Sequence, residues 1–133
     1  MIPSLAALDA GLVSNGRYPG ATGAGVRVAI IDSGVHPSHP HVGAVESGVS
    51  FDAAGGRSDD TVDRLGHGTA VAAAIREKAP DASLLPVKVF DRELRATAEA
   101  LVAAIDWAID ARVHLINLSL GTSNVEHQAR LGE

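Results

Sequence analysis

Two residues in this chain are of types that could carry acid–base chemistry together. Asp32 follows the β-branched run Val26–Ile31, and His67 lies between two glycines at the start of an alanine-rich segment. A carboxylate at the end of a buried strand is held by a rigid element. In open α/β sheets functional groups gather at the carboxyl ends of strands. Glycines on both sides leave an imidazole uncrowded and let other groups approach closely. A histidine so placed is a candidate general base. Each residue alone has a plainer reading. Asp32-Ser33-Gly34 is good turn chemistry, and a single Gly-His-Gly-Thr is weak evidence.

The elements that would position the pair follow from periodicity. Val26–Ile31 (VRVAII) reads as a strand covered on both faces, as in a parallel sheet. A weaker strand is expected at Val45–Ser50, and the polar, Gly-rich stretch Asp52–Asp63 reads as a surface loop. Gly66–Lys78 reads as a helix stopped by Pro80. Ser83–Phe90 is a third strand. Thr97–Ala111 carries apolar residues at Ala98, Leu101, Val102, Ile105 and Ile109, one face of a helix with Thr97 as N-cap. Val113–Leu120 is a fourth strand. Short helices are conceivable at Ser4–Leu12 and from Val125. Strands alternating with helices predict βαβ units. The expected division is a leader over residues 1–25, a domain over 26–121 and a tail over 122–133.

Composition narrows the function classes. The 133 residues carry a net charge of −5 with no cysteine and few aromatics. Basic residues do not cluster, which argues against nucleic acid. The lack of cysteine excludes a disulfide framework and a thiolate zinc site. No apolar run reaches the roughly 18 residues of a membrane span, and Met1–Asn15 lacks the pattern of a secretory signal. The chain as given reads as cytoplasmic; a processed fragment of a secreted protein would read the same. His36, His39 and His41 form a short histidine cluster, but no nearby cysteine completes a typical site, so neither metal nor other cofactor is expected. Trp107 reads as helix packing, and Arg76-Glu77-Lys78 as a solvated helix end.

Four motifs in order carry a further meaning. VAIIDSGVHPSHP, GHGTAVAAAI, APDASLLPVKVF and LINLSLG succeed one another, with Asp106-Trp107-Ala108 ahead of the last. This series resembles the subtilase family of serine endopeptidases, over about Gly25–Gly121. The resemblance implies a three-layer subtilisin-like α/β fold with a parallel sheet, truncated to about four strands. It implies that Asp32 orients His67 and that His67 takes a proton from a serine hydroxyl. It places an extended peptide substrate along Ser119-Leu120-Gly121 and along Leu94-Arg95-Ala96, by strand addition.

The chain also departs from that pattern. The family's nucleophile sits in a Gly-Thr-Ser-Met motif well downstream. Gly121-Thr122-Ser123 directly follows the substrate strand and continues Asn124-Val125, so Ser123 is not the expected nucleophile. Ala70 and Ala73 replace a histidine and a glycine. His41 replaces an aspartate that binds calcium in some members. Leu94-Arg95-Ala96 is bulkier than the usual glycine-containing strand. The expectation is a domain part inactive alone and complemented by a partner, or a pseudoprotease that holds a peptide without cutting it. A degenerate fragment is a third reading. The strand Val113–Leu120 would be an exposed apolar edge, so a second chain, a second copy or the rest of a longer precursor is expected to cover it.

Overall fold

Five consecutive strand residues that alternate between two covered faces set the architecture. In the computed structural model, which describes residues 18–119, β1 spans Arg27–Asp32 and every residue after Arg27 is buried. Val28 and Ile30 pack with Val35, Val42, Ala72, Ala82 and Leu84 on one side. Ala29 and Ile31 pack with Val49, Phe51, Val87, Ala100, Leu101, Ala104 and Ala108 on the other. Successive strand side chains point to opposite faces, so each strand feeds two cores.

The remaining strands are β2 (Val49–Phe51), β3 (Arg57–Ser58), β4 (Ser83–Lys88) and β5 (Leu115–Leu118). Their order is β3-β2-β4-β1-β5. All neighbours run parallel except β2 and β3, which form an antiparallel hairpin. The helices are α1 (His67–Lys78) and α2 (Ala98–Asp110). Ala72 of α1 belongs to the first core, and the small residues Ala100, Ala104 and Ala108 of α2 to the second. The result is an α/β/α sandwich, as expected.

Several boundaries differ from the sequence reading, each for a local reason. The loop Asp52–Asp63 contains β3, because the Asp52 carboxylate accepts the amides of Ala54 (3.0 Å) and Gly56 (2.7 Å) and closes the hairpin. The second strand begins at Val49, not Val45. A side chain at Gly48 would meet the Pro86 carbonyl at 2.0 Å, so backbone lies on backbone there. The same junction tolerates a proline in the central strand β4. The Leu84 carbonyl accepts Glu46 N–H from the β2 side, so Pro86, two residues on, turns its missing donor to that side. The β2–β4 ladder begins one residue later, at Val49 and Val87. The fourth strand runs over Leu115–Leu118 only. The helices considered at Ser4–Leu12 and from Val125 lie outside the described residues.

The Thr97 cap is present. Its hydroxyl oxygen accepts Ala100 N–H at 3.1 Å and donates to the Ala53 carbonyl at 2.6 Å, tying α2 to the hairpin. At the far side of the sheet, β5 pairs only with β1 among the described strands. Its Leu115 and Ile116 are 59% and 38% exposed.

Candidate active site

Asp32 is the last residue of β1 and is fully buried. A buried carboxylate needs partners for its oxygens. One is the amide of Ser33, at 2.7 Å from Oδ1. The other is His67, the first residue of α1, whose Nδ1 lies 2.8 Å from Oδ1 and 2.9 Å from Oδ2. The carboxylate accepts a hydrogen bond from Nδ1–H, which fixes the tautomer and leaves Nε2 with the free lone pair. The His67 side chain is 38% exposed, so the pair runs from a sealed carboxylate to a ring that solvent or a reactant can reach.

The two glycines around His67 have different tasks. Gly66 adopts φ 83°, a left-handed conformation that turns the chain into the helix, and a side chain there would meet nothing. Gly68 is required by space: a Cβ would lie 2.0 Å from the Gly34 carbonyl oxygen. Gly34 itself has φ 104° and would place a Cβ 2.4 Å from the Thr61 carbonyl. Three backbone segments thus touch directly beside the Asp32–His67 pair.

Behind them lies a polar network that the sequence reading did not single out. Asp63 accepts hydrogen bonds from the Ser33 hydroxyl (2.7 Å), the amides of Leu65 (3.1 Å), Gly66 (2.8 Å) and Thr69 (2.9 Å), and the Thr69 hydroxyl. Burial pushes the Asp63 carboxyl up, but the hydroxyls of Thr69 and Ser33 and the amides of Thr69 and Gly66 outweigh it and hold it below the usual carboxylate range. The available signal was an acidic residue just before a helix start. Lys88 was also missed, hidden within an apolar strand. It is buried, donates to the Val62 carbonyl at 2.7 Å and pairs with Asp91 at 2.9 Å. Arg64 bridges Asp91 (2.8 Å) and Asp60 (3.1 Å). These contacts moor the 60–65 segment to the end of β4.

Leu94-Arg95-Ala96 occupies the connection between β4 and α2. Leu94 and Arg95 are exposed, Ala96 is half-buried, and no strand of the sheet includes them. Arg95 and Ala96 line a groove of about 760 Å³ together with Phe51, Asp60, Phe90 and Glu93. Ser119 follows β5 and its hydroxyl accepts from the Asn117 amide at 2.9 Å. Leu120, Gly121 and Ser123 lie outside the described residues. The His36–His41 loop is organised by its own contacts: His39 Nδ1 accepts the His41 amide at 3.2 Å, and the two rings are 5.6 Å apart. Among the described residues no group of three histidine, aspartate or glutamate side chains is arranged to hold a metal ion. No helix among them is long and apolar enough to cross a membrane.

Comparison with known proteins bears on the family and the fold. The subtilase family profile matches residues 23–132. The chain is 36% identical over 114 residues to a thermostable alkaline protease of Halalkalibacterium halodurans, covering 79% of this chain and 30% of that protein. It is 38% identical over 111 residues to subtilisin E of Bacillus subtilis, covering 77% of this chain and 28% of that protein. The crystal structure of a cold-adapted subtilisin-like serine proteinase superposes with a TM-score of 0.66 at 27% identity, over 87% of this chain and 45% of the other. The chain thus spans less than a third of the length of these two curated relatives, and by motif, sheet order and overall similarity it belongs to the subtilase family.

Proposed function

We propose that this chain supplies the acid–base half of a serine endopeptidase. The observation that carries the reading is the Asp32–His67 pair: a sealed carboxylate on Nδ1 of a ring that is open on its other side. In the proposed reaction His67 Nε2 removes the proton from a serine hydroxyl as its oxygen attacks a peptide carbonyl. Asp32 stabilises the imidazolium that results. His67 then returns the proton to the leaving amine, and a second cycle with water releases the acyl group. The Gly-Thr-Ser-Met motif of the family does not occur in the 133 residues, so the serine and the oxyanion donors are contributed by sequence outside them, on a longer or a second polypeptide. The peptide lies extended along Leu94–Ala96 and Ser119–Gly121. The exposed Leu115 and Ile116 are covered in the assembled enzyme by that complement.

A second reading is a pseudoprotease that holds peptide without cleaving it. The bulk and exposure of Leu94 and Arg95 beside the groove favour it. Labelling with a fluorophosphonate serine probe separates the two. The pure chain is expected to stay unlabelled, while a labelled partner co-purifies from lysate of the source. Labelling of the pure chain would place a nucleophile within the 133 residues and refute the division of labour. No labelling in either sample would favour the peptide-holding reading.

A further inference from the structure

We infer that Asp63 is a positioning residue that sets the separation of Asp32 and His67; the inference rests on the acid–base role proposed for that pair. An aspartate just before a helix has a simple alternative role as a cap. Capping accounts for its bonds to the amides of Leu65, Gly66 and Thr69. It does not account for the Ser33 hydroxyl, which comes from the turn directly after Asp32 and donates to Asp63 Oδ1 at 2.7 Å.

That hydroxyl works in both directions. Ser33 Oγ donates to Asp63 and accepts the amide of Gly68 at 2.9 Å, so it ties the residue after Asp32 to the residue after His67. A second tie runs parallel to the first. Thr69 donates its hydroxyl to Asp63 Oδ2 and accepts the amide of His36 at 3.0 Å. Each tie passes through a hydroxyl whose proton is committed to Asp63, which leaves its lone pair for the amide across the gap. One carboxylate therefore orients both hydroxyls that hold the β1 turn against α1. A carboxylate is needed because all five donor groups around it donate to it: Ser33, Leu65 and Gly66 to Oδ1, and Thr69 twice to Oδ2. An asparagine can keep the Oδ1 set, but its amide nitrogen donates where Thr69 needs an acceptor.

The experiment follows the His67 Nδ1 proton by nitrogen-edited NMR in the full 133-residue chain. The wild type is compared with Asp63→Ala, Asp63→Asn and Ser33→Ala, and backbone amide spectra report folding. Asp63→Ala is expected to speed exchange of that proton with water by about ten-fold, the scale of losing one charge-assisted hydrogen bond. Asp63→Asn is expected to fall between it and the wild type. Ser33→Ala keeps the cap and cuts only the first tie, so it serves if Asp63→Ala fails to fold; exchange is expected to rise several-fold, on the scale of one neutral hydrogen bond. Unchanged exchange in folded Asp63→Ala or Ser33→Ala overturns the inference. Asp32→Asn is the control for the underlying reading. If it too leaves the Nδ1 proton unchanged, the Asp32–His67 pair itself fails; if it speeds exchange while Asp63→Ala does not, only the positioning role fails.

Discussion

Replacing Gly68 by alanine sets two physical effects against each other. Helix propensity favours the change by up to about 1 kcal/mol, less in the first turn where Gly68 sits. Sterics oppose it. The new Cβ would stand 2.0 Å from the Gly34 carbonyl oxygen, where real Cβ atoms are essentially never nearer than 3.0 Å. The start of α1 must retreat by about 1 Å, and neither side can yield easily, because Gly34 is itself wedged against Thr61. Overpacking of this kind costs about 1–3 kcal/mol. The net loss of about 1–2 kcal/mol leaves the fold standing, within a total of about 5–15 kcal/mol, and lowers Tm by about 3–8 °C. The larger effect is on the pair. His67 adjoins Gly68, so the 2.8 Å contact to Asp32 opens beyond hydrogen-bonding reach. Under the acid–base role proposed for the pair, a displacement of about 1 Å costs on the order of a hundred-fold in kcat. Circular dichroism melts and the His67 ring NMR signal read both effects. A Tm equal to or above wild type, with the ring signal unmoved, would sink the argument.

Three other outcomes are expected. Thr97→Ala removes both the cap of α2 and the tie to Ala53; it should cost about 1 kcal/mol in a urea titration. Stability should fall as the pH drops below about 4. Asp63 is held low by hydroxyl and amide donors against burial, Asp60 by the Val62 amide and Arg64, and Asp91 by Lys88 and Arg64. Carboxyls with lowered folded values contribute stability above the unfolded value and lose it as pH falls through the folded one. Asp63→Asn should flatten that acid limb in melts taken across pH. Leu115→Glu, on the exposed edge, should leave the melt of the chain nearly unchanged and, under the proposed complementation, abolish co-purification of a serine-bearing partner; unimpaired co-purification would place that contact elsewhere.

What was legible in the sequence was whatever repeated or punctuated strongly. The VRVAII run ends in Asp32, and the Gly-bounded His67 starts an alanine-rich helix, so both chemistry-bearing residues sat at element ends that periodicity could locate. The hairpin partner β3 was not legible, since two residues carry no period and its closure depends on the Asp52 side chain. Lys88 read as one polar letter in an apolar strand. Its burial depends on a carbonyl 26 residues away, Val62, which no local pattern reports. Asp63 was passed over for the same reason. Its bond to Ser33 joins residues 30 apart in the chain that the fold brings together.

The strand order has a consequence for how the chain comes to be folded. Arg27 of β1 finds its partner Ser83 only in β4, and Val28 finds Leu115 only in β5. Every ladder of β1 closes over a long loop, and such topologies fold slowly because chain entropy is lost before contacts repay it. During synthesis β1 emerges first and must wait for roughly 55 more residues, roughly 3–11 s at ordinary ribosomal rates. Throughout that interval the most apolar segment, VAII, has both edges unpaired. The strand that later carries the buried carboxylate is therefore the one most in need of chaperone protection while the polypeptide is being made.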